Sequence, residues 1–465
     1  MGAIIHFETD GWFVRDEGGS ALDGVSRIAD AVARCWASSS PGSTVHIAYD
    51  ARPSARSVAE VAAAIVASHG LDAVISDRVA PTAALSKAVM RDAGSCGGLV
   101  ITGAHYPDDY LGVKIRVADG GMGTRDFMDE VERIIELDPT EARGTYRVEN
   151  ILDPYLEELI ARVDADAIAG AGLKVVCDPM YGSARGCLAK VLRRLGVEVH
   201  EIHAMDDTGR VDLRPKPIEP WVDDCEQAVE ACGAVAGLAT DGDANFMGAV
   251  DEEGRYVGAD KIAALILGHL VRERGMGGKV VLSVAASTTI KRAAQALGCP
   301  VVVRPLGFRY IYDEIKKGGA LLGTEGFGGI CVQGGAPERD GMLACLLLCE
   351  LMARTGKGLK ALVQDLEEQM GSMSYGRRDL RMPVEDVEML STMMPGMNPG
   401  EVAGMEPVSV SHMDGLRLEF ADGSWVLMRP SRTEPLVRVY VEAGTVELRD
   451  ELAEAACEIA RRRAH

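Results

Sequence analysis

The sequence has no long apolar run and no segment typical of an export signal. Its longest apolar stretches, 262–267 and 342–349, fall far short of the roughly 20 residues that a membrane-spanning helix needs. The N-terminal residues Met-Gly-Ala-Ile-Ile-His lack the basic region and the apolar run of a secretory signal. We therefore expect a protein that has no membrane partner.

Paired cysteines and excess basic charge are also missing. The eleven cysteines are scattered and form no Cys-x-x-Cys pair, which argues against a zinc site and a disulfide framework and favours the reducing cytoplasm. The formal charge of −21 argues against nucleic acid as a partner. A small phosphorylated ligand is still compatible with this charge, because a basic pocket can lie on an acidic protein. Homo- and hetero-oligomers both stay open.

A strand followed by an Ala- and Leu-rich helix recurs three times along the chain. The predicted strand and helix pairs are 45–50 with 54–68, 174–178 with 184–195, and 279–284 with 287–297. Each helix stops at a glycine and leads into a second strand, which is typical of βαβ units with mixed, mostly parallel sheets. The C-terminal part differs. A predicted hairpin (416–420 and 425–428), a strand (437–441) and a helix (446–462) indicate a smaller α+β domain.

We therefore predict an α/β protein with three related α/β domains and a smaller C-terminal α+β domain, since 465 residues are too many for one hydrophobic core. The predicted domain ranges are 1–148, 149–256, 257–371 and 372–465. The segment 370–413 is rich in Met, Gly and Pro, and we expect it to combine a linker with a short helix at 384–393.

The loop 102–107 follows an apolar run and reads Thr-Gly-Ala-His-Tyr-Pro, and Tyr-x-Gly-x-Lys ends a few residues later at Lys114. Loops at strand ends are where α/β folds place chemistry. This stretch resembles the active-site loop of the α-D-phosphohexomutases, the phosphoglucomutase/phosphomannomutase superfamily, which reads Thr-Ala-Ser-His-Asn-Pro. In that family the serine carries the transferred phosphoryl group. Here Ala104 stands in its place, and the resemblance puts His105 and Lys114 at catalytic positions.

A second loop, 241–246, reads Asp-Gly-Asp-Ala-Asn-Phe after an apolar run. Closely spaced acidic residues on a glycine-containing loop predict a site for a hard cation. The loop resembles the family's magnesium loop Asp-Gly-Asp-Ala-Asp-Arg, which implies Asp241 and Asp243 as Mg²⁺ ligands. Asn245 replaces the third carboxylate and Phe246 replaces an arginine that the family places at the phosphoryl group. We therefore expect Mg²⁺ binding to be weak or lost.

Two further loops resemble the family's substrate-binding loops. The loop 323–329 keeps the carboxylate of the sugar-recognition motif Gly-Gly-Glu-x-Ser-Gly, with Phe327 in place of the serine. The loop 429–435 reads Arg-Pro-Ser-Arg-Thr-Glu-Pro and resembles Arg-Pro-Ser-Gly-Thr-Glu-Pro, which grips the substrate's non-reacting phosphate. An arginine fork and hydroxyl groups suit a phosphate. The implied substrate-binding residues are Glu325, Arg429, Ser431, Thr433 and Arg438.

Three functions are compatible with these residues. The leading hypothesis is a phosphohexomutase-family protein that binds a hexose phosphate or related ligand in a four-domain cleft without normal mutase turnover, because Ala104 cannot accept a phosphoryl group. The alternative is an active hexose-phosphate mutase, an isomerase that uses His105 as acceptor or passes on a bisphosphorylated sugar without a covalent step. A regulatory or scaffold partner protein is the third hypothesis.

Overall fold

The computed structural model describes residues 5–7, 10–135, 138–205, 214–431 and 434–463. Four β-sheets follow one another along the chain, and each sheet is built from its own segment of sequence. No helix in the described residues is long and apolar enough to cross a membrane.

The first sheet has the strand order β1-β5-β4-β2-β3-β6. Its central strands pair in parallel, whereas β5 pairs antiparallel with both β1 and β4. The strands are β1 (Trp12–Arg15), β2 (Thr44–Tyr49), β3 (Asp72–Ser76), β4 (Ser95–Thr102), β5 (Tyr110–Val117) and β6 (Arg147–Glu149). The helices are α1 (Ser20–Ser39), α2 (Ala55–Ser68), α3 (Thr82–Arg91) and α4 (Arg125–Ile134).

The second sheet is also mixed, with the order β11-β10-β9-β7-β8. Its strands are β7 (Lys174–Asp178), β8 (Glu198–Glu201), β9 (Ala236–Thr240), β10 (Met247–Asp251) and β11 (Tyr256–Val257). Its helices are α5 (Leu152–Ala161), α6 (Ala165–Gly170), α7 (Cys187–Arg194) and α8 (Asp223–Cys232). The parallel pairs β7–β8 and β7–β9 put the loop after β9 at the carboxyl edge of the sheet.

The third sheet has the order β13-β12-β14-β15 and is followed by a helix that, apart from Glu350, is apolar around its whole circumference from 341 to 352. Its strands are β12 (Lys279–Ser283), β13 (Val301–Arg304), β14 (Ala320–Thr324) and β15 (Ile330–Val332). Its helices are α9 (Ala259–Arg272), α10 (Thr288–Ala296), α11 (Phe308–Lys316), α12 (Gly341–Thr355) and α13 (Leu359–Met370). A helix without a polar face has to be buried, and α12 lies in an apolar core shared by elements of the first three sheets.

The fourth sheet is antiparallel throughout, in the order β16-β20-β19-β18-β17. Its strands are β16 (Ser374–Arg381), β17 (Ser409–Ser411), β18 (Leu416–Glu419), β19 (Trp425–Pro430) and β20 (Leu436–Ala443). Its helices are α14 (Val384–Met393) and α15 (Val446–Arg463). The predicted fold class is confirmed: three α/β units with mixed sheets precede a smaller α+β unit.

One strand was missed by the sequence prediction. The segment that we expected to be a linker contains β16, which pairs with β20 along its whole length. Its sequence Ser-Tyr-Gly-Arg-Arg-Asp-Leu-Arg lacks alternating apolar residues, because β16 is an edge strand with many exposed side chains. The helix predicted at 384–393 is confirmed as α14. The domain boundaries that we predict stay a prediction.

Candidate functional site

A cavity of about 1430 Å³ lies where loops from all four sheets meet. Residues from each of the four predicted functional loops line this cleft: Ala104, His105, Phe246, Glu325, Arg429 and Ser431. Arg438 on β20 lines it as well. The structure therefore brings together side chains that are more than 300 positions apart in the sequence. Their individual roles stay predictions.

The loop after β4 is anchored by a buried hydrogen-bond network. Thr102 Oγ1 donates to Asp50 Oδ2 at 2.7 Å and accepts from the backbone N–H of Ala104 at 2.8 Å. Arg52 Nη2 donates to the carbonyl oxygen of Tyr106 at 2.6 Å. Ala104 is 2% exposed and has a φ of 47°, in the left-handed region. The loop backbone is therefore held in place, although residue 104 has no side-chain oxygen.

Gly242 lets the acidic loop after β9 pack directly against the loop after β4. A Cβ atom built on Gly242 would lie 2.3 Å from the carbonyl oxygen of Ala104. Such a close backbone approach leaves no room for a side chain, so only glycine fits this position. The contact places residue 104 beside the predicted metal loop.

His105 faces the cleft and is surrounded by aromatic rings. Its ring stacks on that of Tyr106 at a centroid distance of 5.0 Å and meets the Phe246 ring edge-on at 5.8 Å. Burial, followed by the positive charges of Lys216 and Lys114, lowers the pKa of His105 to about 3. The imidazole is therefore neutral at neutral pH and keeps a nitrogen lone pair.

Lys114 contacts the acidic loop from below the cleft. Its fully buried Nζ lies 2.8 Å from Asp10 Oδ2 and 2.7 Å from Asp243 Oδ2. The same ammonium group donates to Asn245 Oδ1 at 2.9 Å. Burial alone would lower the pKa of Lys114, but the carboxylates of Asp10 and Asp243 outweigh it and raise the pKa above its usual value. Lys114 is therefore a charged partner of two of the three predicted metal ligands.

Asp241 lies beside this cluster, and fewer hydrogen bonds and positive charges compensate for the burial of its carboxylate. Its Oδ1 accepts from the backbone N–H of Phe246 at 2.9 Å. Its Oδ2 and the Oδ1 of Asp243 are buried without a hydrogen-bond partner among the described residues. Burial, followed by the negative charge of Asp243, raises the pKa of Asp241 well above its usual value.

The side chains around this loop do not provide a complete Mg²⁺ site. Mg²⁺ takes six oxygen ligands in near-octahedral geometry, and only the two unpartnered carboxylate oxygens of Asp241 and Asp243 point to a cation. Asn245 directs its oxygen to Lys114 instead, and Ala104 offers no ligand. Within the described ranges, no three His, Cys, Asp or Glu side chains are arranged to hold a metal ion. The expected weakening of Mg²⁺ binding stays a prediction.

Arg339 links the sugar-recognition carboxylate to the rest of the site. Its Nη1 donates to Glu325 Oε2 at 3.1 Å, its Nε donates to Glu338 Oε1 at 3.0 Å, and Nη2 pairs with Asp10. The guanidinium carbon lies 5.0 Å from the ring centroid of Phe246. Burial raises the pKa of Glu325 even though the charge of Arg339 opposes the shift. Glu325 therefore lines the cleft with one carboxylate oxygen already bound to Arg339.

Three phenylalanines line the cleft, and two of them, Phe246 and Phe327, stand where the family motifs have polar residues. Phe246 packs against His105 and Arg339, and Phe13 lies 5.3 Å from Tyr106 between ring centroids. The ring of Phe327 lies 5.6 Å from that of Tyr440. All three phenylalanines also border the 1430 Å³ cavity. They form aromatic walls for the cleft and leave its volume open.

The predicted phosphate loop follows β19 and lines the same cleft. Arg429 Nε donates to Asp414 Oδ2 at 2.8 Å, which fixes the guanidinium at the cavity wall. Ser431 Oγ accepts from the backbone N–H of Glu434 at 3.2 Å. Arg438 Nη2 donates to Glu434 Oε2 at 2.6 Å, so its charge is partly balanced. Thr433, together with the neighbouring Arg432, lies outside the described residues.

Several cations that line the cleft were missed by the sequence analysis, and Lys216 and Arg377 are two of them. Lys216 and Arg377 line the same cleft as Arg429 and Arg438. Burial, followed by the charge of Arg377, lowers the pKa of Lys216. A lysine between two prolines in a strongly acidic chain is the signal that sequence reasoning could have used for Lys216. Arg377 gave no such signal, because it lies on the unpredicted strand β16.

Comparison with known proteins identifies the class to which this fold and cleft belong. Four domain profiles described as phosphoglucomutase/phosphomannomutase match the chain: alpha/beta/alpha domain I at 5–141, domain II at 153–254, domain III at 258–370 and the C-terminal domain at 394–459. The chain therefore belongs to the phosphoglucomutase/phosphomannomutase family, as its loops indicated.

Individual relatives cover almost the whole chain. A phosphoglucosamine mutase from Parafrankia sp. (strain EAN1pec) is 32% identical over 434 residues, which are 90% of this chain and 86% of the relative. A phosphoglucomutase/phosphomannomutase from Thermococcus kodakarensis is 30% identical over 411 residues, or 87% and 86% of the two chains. A crystal structure of a Thermus thermophilus protein, provisionally named phosphomannomutase, superposes with a TM-score of 0.87 at 29% identity, covering 99% of this chain and 100% of that one.

A more distant structure carries a ligand. The N-acetylphosphoglucosamine mutase of Aspergillus fumigatus was solved with GlcNAc-6P and magnesium, and it matches 100% of this chain and 97% of its own with a TM-score of 0.62. At 13% identity, this likeness concerns the fold alone.

Proposed function

We propose that this protein binds a hexose phosphate in the four-domain cleft and does so without a phosphorylated serine. The observation that carries the proposal is that Glu325 and Arg429 line the same cavity as Ala104. A carboxylate suits sugar hydroxyl groups and a guanidinium suits a phosphate. Residue 104 itself has no atom that could take up a phosphoryl group.

An active mutase is the first of two candidate functions, and the comparisons favour it. The relatives that cover most of the chain are named mutases. Without a serine, turnover needs another phosphoryl acceptor or the direct passage of a bisphosphorylated sugar. His105 supports the first route, because its neutral ring next to residue 104 retains a nucleophilic nitrogen.

Binding without turnover is the second candidate, and the residues of the cleft favour it. Phosphoryl transfer depends on positioning and on positive charge around the transferred group. Phe246 places an aromatic ring where the family motif has an arginine, and Ala104 removes the acceptor oxygen. In this case the protein would act as a sensor, a regulator or a partner subunit that responds to its ligand.

Glucose 1,6-bisphosphate is the most informative probe for both candidates. Lys216 and Arg339 line the cleft and act electrostatically on His105 in the loop after β4. Arg429 and Arg438 line it near the loop after β19. A ligand with two phosphates can therefore use two groups of cations. A serine-to-alanine variant of the Aspergillus fumigatus enzyme has been solved in complex with glucose 1,6-bisphosphate. An alanine in a protein of this fold is therefore compatible with binding of such a ligand.

A labelling experiment separates the two candidates. Incubation with ³²P-labelled glucose 1,6-bisphosphate should leave the protein free of acid-stable phosphoserine. A mutase that uses His105 should carry an acid-labile label and convert glucose 1-phosphate, and His105→Asn should abolish both signals. A binding protein should stay unlabelled and inactive while calorimetry still detects the ligand. Acid-stable label in the loop after β4, or no binding at all, would contradict the proposal.

We also propose a cytoplasmic location. All eleven cysteines are free thiols in the structure, and most of them are buried. Free buried thiols support a reducing compartment. Fractionation of cells that produce the protein at its natural level tests this location.

A further inference from the structure

We propose that the ammonium group of Lys114 is the built-in cation of the acidic loop, so that this cleft binds its phosphorylated ligand without a divalent metal ion. The inference rests on the proposed binding of a hexose phosphate. The family motif contains this lysine as well. In this chain Ala104 and Asn245 remove negative charge from the site, so that one ammonium group can balance the acidic loop.

The first argument is the coordination of the Lys114 ammonium group. A lysine offers three N–H donors, and three oxygen atoms surround Nζ. They belong to Asp243 at 2.7 Å, Asp10 at 2.8 Å and Asn245 at 2.9 Å. The side chain of Lys114 is 0% exposed. Each N–H group of the ammonium therefore has an acceptor, and the cation is fully buried in the protein.

The second argument is the orientation of Asn245. Its Nδ2 donates to the carbonyl oxygen of Arg339 at 2.7 Å, which fixes the amide group and turns Oδ1 towards Lys114. The amide thus acts as a neutral ligand of the ammonium group. With a carboxylate at this position, three negative charges instead of two would contact Nζ, and one ammonium group would no longer balance them.

The third argument is the set of contacts and charges around Asp243. One of its oxygen atoms contacts both Lys114 and Thr82, and the other has no partner among the described residues. A divalent ion bound to the free oxygen would lie next to the ammonium group, and two cations at such a distance repel each other strongly in a buried site. In related proteins a phosphoserine adds negative charge here, whereas Ala104 adds none.

The consequence concerns the charge that an incoming phosphate meets. Asp10, Asp241 and Asp243 would repel an anionic ligand at the loop after β4. Lys114 lies below these residues without reaching the cleft surface, because it is fully buried. Its positive charge makes the electrostatic potential at the acidic loop less negative. Lys114 does not touch the ligand and is therefore a positioning residue.

Metal titration of the ligand-free protein tests this inference directly. Mn²⁺ substitutes for Mg²⁺ and its free ion can be followed by electron paramagnetic resonance. We expect the wild-type protein to bind no stoichiometric Mn²⁺ up to about 1 mM, since two carboxylate oxygens beside an ammonium group are a poor site. Stoichiometric binding below that concentration would overturn the inference.

Two variants show whether Lys114 is responsible. Lys114→Met should increase the affinity for Mn²⁺ at least about tenfold, because it frees the carboxylates without adding a ligand. Asn245→Asp should produce a similar gain through an added carboxylate, and it keeps the test decisive if Lys114→Met does not fold. An unchanged Mn²⁺ affinity in the folded variants would contradict the role of the ammonium group.

Ligand binding completes the test. The dissociation constant of glucose 1,6-bisphosphate, corrected for Mg²⁺ bound to the free sugar, should differ by less than about threefold between EDTA and excess Mg²⁺. A Mg²⁺-dependent increase in affinity of about tenfold or more would overturn the inference. If the sugar does not bind under any condition, the proposed function fails, while the Mn²⁺ titrations still decide the role of Lys114.

Discussion

Replacing Arg429 with alanine should lower the affinity for glucose 1,6-bisphosphate by about 10- to 100-fold. A hydrogen bond between two charged groups contributes about 1.5–3 kcal/mol, and each 1.4 kcal/mol corresponds to about a tenfold change in affinity. Asp414 holds Arg429 through Nε, an arrangement that leaves the two Nη groups outside this ion pair. Those two groups form the planar fork that recognises phosphate. Isothermal titration calorimetry measures the change.

The same experiment has two controls. Arg462→Ala removes an equal charge from the exposed face of α15, where Arg462 pairs with Glu458 and does not line the cleft. It should leave the affinity unchanged. Arg429→Lys should give an intermediate affinity, because lysine keeps the charge but loses the fork. If Arg429→Ala binds the sugar as tightly as the wild type, the loop after β19 is not the phosphate site.

Local motifs are the part of the site that the sequence predicts well. The loops after β4, β9, β14 and β19 were identified from short stretches of residues, and the structure places them around one cleft. This success has a simple physical reason. In each case a strand ends at a polar or glycine-rich loop, which is where such folds place functional residues. Asp241 and Asp243 lie in one short loop after β9, so the sequence alone already places them close to each other.

Contacts between domains could not be predicted in this way. Arg339 pairs with Asp10 across 329 positions of the sequence and fits between the rings of Phe246 and Phe308. No periodic pattern connects these residues, because they belong to different sheets. Lys114 is a similar case. Its position in the sequence indicated a catalytic role by resemblance, but only the folded structure shows its ammonium group among Asp10, Asp243 and Asn245.

Stability should depend most strongly on the buried Arg339. Replacing it with methionine removes the cation and leaves the carboxylates of Glu325, Glu338 and Asp10 with fewer partners. Breaking a buried ion pair by removing one partner costs about 3–5 kcal/mol. Differential scanning calorimetry should therefore show a melting temperature at least about 3 °C lower than that of the wild type.

A surface arginine provides the matched control. Arg147 also faces two carboxylates, Asp72 and Glu149, but its side chain is 53% exposed. Exposed ion pairs contribute about 0–1 kcal/mol, so Arg147→Met should lower the melting temperature by less than about 1 °C. If the two variants melt at the same temperature, Arg339 is not the electrostatic centre of the site.

The pH dependence of the Arg339→Met variant distinguishes lost charge pairing from lost packing. Burial raises the pKa of Asp10, but the positive charge of Arg339, followed by that of Lys114, outweighs it and holds the pKa well below its usual value. A carboxyl group with a lowered pKa stabilises the fold above its unfolded pKa of about 3.9, and this stabilisation disappears as the pH falls through the folded value. Without the positive charge of Arg339, the pKa of the Asp10 carboxyl group rises and the group takes up a proton at higher pH. The difference between variant and wild type should therefore be larger at pH 7 than at pH 3, whereas a packing defect would give the same difference at both.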